Sequence, residues 1–144
     1  MIEMTLLVEG KQTDNKVRWD VDIEGTKFSL HIPKWRVPEP WPAVIQVFVE
    51  PSTGDMAPGL LRSETVEDPS SLRKPIIADL VLFEWKTRTI RYKPRIPKRL
   101  TELVRNEQSL AEIGEPYIPI EMTFDGAEHL RFTVHWKPEL EPLS

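Results

Sequence analysis

Apolar and polar residues alternate with a period of two along three segments near the start of the chain. Ile2, Met4, Leu6 and Val8 share one parity. Val17, Trp19, Val21 and Ile23 share another, opposite Arg18, Asp20, Asp22 and Glu24. Phe28, Leu30 and Ile32 alternate with Lys27, Ser29 and His31. Strict alternation marks strands with one buried face. A two-residue turn at Glu24-Gly25 pairs Val21 with Phe28, Trp19 with Leu30 and Val17 with Ile32, and sets Asp22 against Lys27. One register satisfies both faces, which is how register is specified. The loop from Glu9 to Lys16 then pairs Val8 with Val17 and Ile2 with Ile23. The outcome is a three-stranded meander whose dry face includes Trp19.

Four prolines between Pro33 and Pro42 exclude helix and central strand and predict an extended crossing. Trp35 and Trp41 on that crossing are expected to plug the open end of a sheet. Ala43 to Val49 and Ile76 to Phe83 are nearly continuous apolar runs, read as strands covered on both faces. The second run is expected to continue to Tyr92 as an exposed arm. Pro51 to Gly59 is turn-rich, Leu60 to Val66 fits a short edge strand, and Glu67 to Pro75 reads as loop. One helix is predicted from Lys98 to about Asn106, with Pro97 at its start, a continuation over Ser109 to Ile113, and Gly114 as its stop. At the end, Ile118, Ile120, Met122 and Phe124 match Leu130, Phe132, Val134 and Trp136. A three-residue loop, Gly126 to Glu128, would join them as a hairpin. The expected fold is α+β and β-rich: seven or eight mostly antiparallel strands, as a sandwich or open barrel with one helix, in a single domain over 1–144.

Composition agrees with one packed core. Of 144 residues, 40% are hydrophobic and 29% charged, which is globular rather than disordered. No apolar run reaches the roughly 20 residues of a membrane helix, and Met1 to Val8 lacks the basic start of an export signal. The chain has no cysteine, so disulfides, thiolate metal sites and cysteine nucleophiles are excluded. A soluble cytoplasmic protein is the expectation, with no membrane partner and no cofactor.

Charge is unevenly placed. Lys86, Arg88, Arg91, Lys93, Arg95, Lys98 and Arg99 fall within 15 residues that contain no acid; with −4 overall, the rest of the chain carries −11. From Thr101 onward there are nine acids and three bases. Trp85 and Tyr92 flank the basic stripe. Trp85, Lys86, Arg88, Arg91, Tyr92, Lys93 and Arg95 are therefore the candidate binding residues, for acids of a second copy, for an acidic protein, or for single-stranded nucleic acid.

Candidate chemistry is sparse. His31, His129 and His135 take the polar parity of their strands and read as surface residues. His129 and His135 are about 20 Å apart along a strand, too far to share an ion. The six glycines are scattered, so no phosphate-binding loop is present. Glu84-Trp85-Lys86 at the end of a core strand resembles the acid-x-Lys signature of the restriction-endonuclease-like nucleases, although the chain opens with a meander where that family has a helix. The resemblance implies a Mg²⁺-dependent nuclease with Glu84 and a second acid, best Asp55, as ligands and Lys86 at the attacking water. By alternation Asp79 points away from Glu84. The favoured reading remains a non-catalytic binding or assembly module that self-associates as a homo-oligomer, because no complete catalytic set is present.

Overall fold

A computed structural model describes residues 1–9, 15–54, 72–95 and 111–136. Eight strands form one sheet: β1 (Ile2–Val8), β2 (Lys16–Ile23), β3 (Thr26–Pro33), β4 (Val44–Pro51), β5 (Ile76–Trp85), β6 (Thr89–Pro94), β7 (Tyr117–Pro119) and β8 (His129–Trp136). Their order is β3-β2-β1-β4-β8-β5-β6-β7, and every pairing is antiparallel. The two terminal strands, β3 and β7, come back beside each other, so the sheet is a nearly closed barrel.

Alternation dictates what fills it. Met4, Leu6, Val17, Trp19, Phe28, Leu30, Ile32, Ile45, Val47, Val49, Ile76, Leu80, Ile90, Tyr92, Leu130, Phe132, Val134 and Trp136 all point inward and are buried. Eight strands enclose a space that side chains just fill. The rings of Trp19 and Trp136 lie 6.2 Å apart, and Phe28 meets Phe132 edge-on at 6.3 Å. The meander has the register the turn dictates, with Trp19 opposite Leu30 and Asp22 opposite Lys27. Strand β1 is displaced by two residues from its expected partners, so that Val8 faces Trp19. A shift of two preserves parity, and Met4 and Leu6 still point inward.

Several expectations are corrected. The predicted helix at Lys98–Asn106 and the edge strand at Leu60–Val66 lie outside the described residues. Ala111, Glu112 and Ile113, at the end of the proposed helical continuation, are irregular. The one-helix detail is not borne out: helical structure among the described residues is confined to short 3-10 turns such as Lys34–Arg36 and Ile120–Met122. The terminal hairpin does not form either. β7 spans three residues and pairs with β6, whereas β8 runs between β4 and β5. The chain leaves the strand at Pro119 and makes a tight turn with positive φ at Phe124, Asp125 and Gly126. The Thr123 hydroxyl accepts the Gly126 amide at 3.0 Å inside that turn.

The barrel end beside the proline-rich crossing is closed by Arg36, not by the tryptophans. Trp35 is half-buried and Trp41 exposed. Arg36 is fully buried; its guanidinium donates to the Glu112 carboxylate and to the carbonyls of Leu72 (2.9 Å) and Lys74 (2.8 Å), and lies over the Trp136 ring. Chain segments distant in sequence thereby meet on one planar cation.

Candidate interaction site

The opposite barrel end carries the β5–β6 hairpin. Strand β8 pairs with β5 through residues 76–81, and the Leu82 amide donates to the Glu128 carbonyl at 2.8 Å, so Phe83 to Trp85 continue past it. The Lys86 amide donates to the Thr89 carbonyl at 2.8 Å and closes the tip. Within this extension β5 is bulged: Phe83 and Glu84 together stand opposite the single residue Arg91. A bulge places an extra residue on one face and re-aims the residues beyond it. Leu82 faces the buried Tyr92, Trp85 pairs with the buried Ile90, and Phe83 and Glu84 are left on the outer surface. Without the bulge, an apolar residue at 83 would face outward and Glu84 would take the inner parity. Asp79 and Glu84 therefore both point outward, contrary to simple alternation. They are five residues apart, about 16 Å along the strand, and do not form one site.

Three large rings are exposed at this corner: Phe83 (48%), Trp85 (54%) and Tyr117 (46%). The Arg91 guanidinium bridges two of them, 4.9 Å from the Phe83 ring and 5.8 Å from that of Tyr117, while Lys93 Nζ sits 3.9 Å over Phe83. Such cation–ring contacts hold exposed rings in place. Arg91 also pairs with Glu115 and lies 3.7 Å from Glu84, and Lys86 is 3.2 Å from Glu84. The basic stripe is thus interleaved with acids of the same surface. Trp85, Lys86 and Arg88 are exposed, and Lys93 and Arg95 are partly so. Tyr92 is a correction to the candidate binding set: it lies inside the barrel, its hydroxyl donates to the Ala127 carbonyl at 2.6 Å, and burial pushes its phenol up to about 12. Phe83, Glu115 and Tyr117 belong to the corner although the pattern does not mark them. Phe83 reads as the last core residue of a strand covered on both faces, whereas its outward side is exposed, and Tyr117 reads as part of a hairpin that does not form.

Of the nuclease-like set, Glu84 and Lys86 are adjacent at the strand end and paired with each other; Asp55 lies outside the described residues. Asp79 is instead buried on the outer wall of the barrel, accepting Arg131 Nε at 3.1 Å and the Ser52 hydroxyl at 3.3 Å. Among the described residues no three His, Asp or Glu side chains gather as metal ligands would, and no helix is long and apolar enough to cross a membrane.

A second feature adjoins the corner. Among the described residues no ladder runs between β3 and β7; the backbone bond across the seam runs from the Gly114 N–H, three residues before β7, to the His31 carbonyl at 3.0 Å. A cleft of about 240 Å³ lies along this seam, lined by Lys27, Ser29, His31, Glu115 and Tyr117. On its β2 side, Asp20 accepts two hydrogen bonds from Arg18 (2.9 Å each) and one from Ser29 (2.7 Å). The Arg18 hydrogen bonds hold the Asp20 carboxyl well below the usual carboxylate range. Burial, with Lys16 and Arg18 adding repulsion, pushes the His31 imidazole down. Comparison with protein-family models, with curated proteins and with solved structures found no match to this chain.

Proposed function

We propose that the chain is a non-catalytic binding and assembly module that self-associates through the β5–β6 corner. The observation that carries this reading is the exposure of Phe83, Trp85 and Tyr117 on one corner, beside residues 83–85 of β5, which have no strand partner on their outer edge among the described residues. Exposed strand edges are usually blunted or used. An edge that meets its own copy in antiparallel fashion is compatible with a two-fold axis. The mixture of acids and bases around Arg91 supports a protein surface as partner: a phosphate chain would meet Glu84 and Glu115 as well as the cations, whereas a second copy offers both signs in return.

Magnitudes limit the affinity. A fully buried large apolar side chain contributes about 1.5–3 kcal/mol, and these rings are already half covered, so each regains about 1 kcal/mol. Six rings across a two-fold contact supply about 6 kcal/mol before the entropic cost of association, against about 8 kcal/mol for a micromolar dimer. Edge hydrogen bonds must add the remainder, so the association is micromolar or weaker. Amide chemical shifts recorded on dilution test the location. Shifts concentrated in residues 82–91 and at Tyr117 are expected; shifts confined to the β1–β2–β3 wall would overturn the assignment. The second reading, single-stranded nucleic-acid binding, is favoured by exposed Trp85 next to Lys86 and Arg88. A fluorescent oligothymidine that gains anisotropy at low salt, and loses it in Trp85→Ala, would establish it.

A further inference from the structure

We propose that the β3–β7 seam is a proton-sensitive gate, in which protonation of His31 releases the closure at Gly114 and uncovers the edge of β3. The geometry is that of a weak point. Every other junction between neighbouring strands of the barrel is a ladder, whereas this one rests, among the described residues, on a single backbone bond accepted by the carbonyl of His31 itself. By alternation from the Glu24-Gly25 turn, the backbone groups of Lys27, Ser29 and His31 point away from β2 and into the seam. If the seam widens, they become an unpaired edge able to accept another strand.

The His31 ring is half-buried on one wall of the cleft. Around it stand Lys16, Arg18 and Asp20 from β2, Lys27 and Ser29 from its own strand, and Glu115 and Tyr117 from the far wall. The two acids in this set already serve other cations: Asp20 is engaged by Arg18 and lies 3.7 Å from Lys27, and Glu115 is engaged by Arg91. A proton on the imidazole therefore adds a further positive charge beside Lys16 and Arg18 in a partly desolvated place. Opening the seam hydrates the ring and separates the charges. The closed seam prefers neutral His31, in keeping with the downward direction of its titration. Closure is therefore complete above the ordinary histidine range near 6.5 and weakens as pH falls below it, by about tenfold for each unit by which the closed form depresses the group.

Amide hydrogen exchange by NMR between pH 7.5 and 5, corrected for intrinsic exchange, tests the gate directly. Protection of the Gly114 amide is expected to fall on acidification while that of Val47, laddered on both sides in β4, stays level. In His31→Gln the Gly114 protection should be flat with pH. Lys16→Met removes a neighbouring cation, so the closed form depresses His31 less and the fall should become smaller, which keeps the test available if the Gln variant does not fold. Gly114 protection that is constant in the wild type, that falls equally in His31→Gln, or that is unmoved by Lys16→Met would overturn the proposal.

Discussion

Removing the fully buried Arg36 guanidinium would take from the Glu112 carboxylate its buried cation, and from the carbonyls of Leu72 and Lys74 their donor. Breaking one half of a buried pair costs about 3–5 kcal/mol, whereas replacing both halves by apolar groups costs far less. Chemical denaturation should therefore show Arg36→Met destabilised by about that amount, and Arg36→Met with Glu112→Leu recovering part of it. Equal losses in the single and double variants would refute the pairing. Nothing in the period-two pattern marks Arg36, because it sits in the irregular proline-rich crossing and its partners are 36 to 76 residues away in sequence. Trp19 and Trp136, by contrast, are legible from parity alone; truncation of either to Ala should cost about 3–5 kcal/mol. Asp20 sets an acid limit. Its carboxyl is held down in the fold by Arg18, so the stability it contributes is present above the ordinary carboxylate value near 4 and is lost as pH falls below that. Asp20→Asn should flatten the melting temperature against pH between about 4 and 2 relative to wild type; an unchanged slope would contradict the role given to Arg18.

At the scale of elements, strands are readable wherever one face is wet and the turn is short. The meander has its turn at Glu24-Gly25 and its pairing as the two faces require. The pattern misleads where chain geometry breaks the period. The bulge at Phe83–Glu84 has no signature in residue type, yet it decides that Glu84 stays on the outer surface and that Trp85 is set opposite Ile90. The turn after Met122 reads as strand because Ile118, Ile120, Met122 and Phe124 alternate correctly; the positive φ values at Phe124 and Asp125 are seen only in three dimensions. That turn also supports the corner. A Cβ on Gly126 would come within 2.5 Å of the Trp85 ring, and the residue has φ +78°. Gly126→Ala is expected to cost about 1–3 kcal/mol through backbone strain and displacement of Trp85. Trp85 fluorescence should shift along with the melting temperature; a variant with wild-type stability and emission would show that Trp85 does not rest on the turn.

For the whole molecule, a β-rich chain is foreseeable from alternation and composition, and the choice between sandwich and barrel is not, because both bury one face of each strand. What makes it a barrel is the return of β7 to β3, fastened by Gly114 and His31 from distant parts of the sequence. The uneven charge is visible in the sequence, but its meaning changes in three dimensions: Arg91 and Lys86 meet acids on the same surface rather than forming an isolated basic stripe. A surface of mixed charge and half-exposed rings should associate in a way that salt weakens without abolishing, since screening acts on the ion pairs and not on the apolar contact. Sedimentation equilibrium over a hundredfold concentration range, at low and high salt, measures this most directly. A monomer–dimer equilibrium is expected, with a dissociation constant in the micromolar range or weaker, weakened at high salt, and a monomer for Phe83→Ser with Tyr117→Ser. A wild-type monomer at every concentration and salt, or a dimer that the double variant leaves intact, would contradict self-association through the β5–β6 corner.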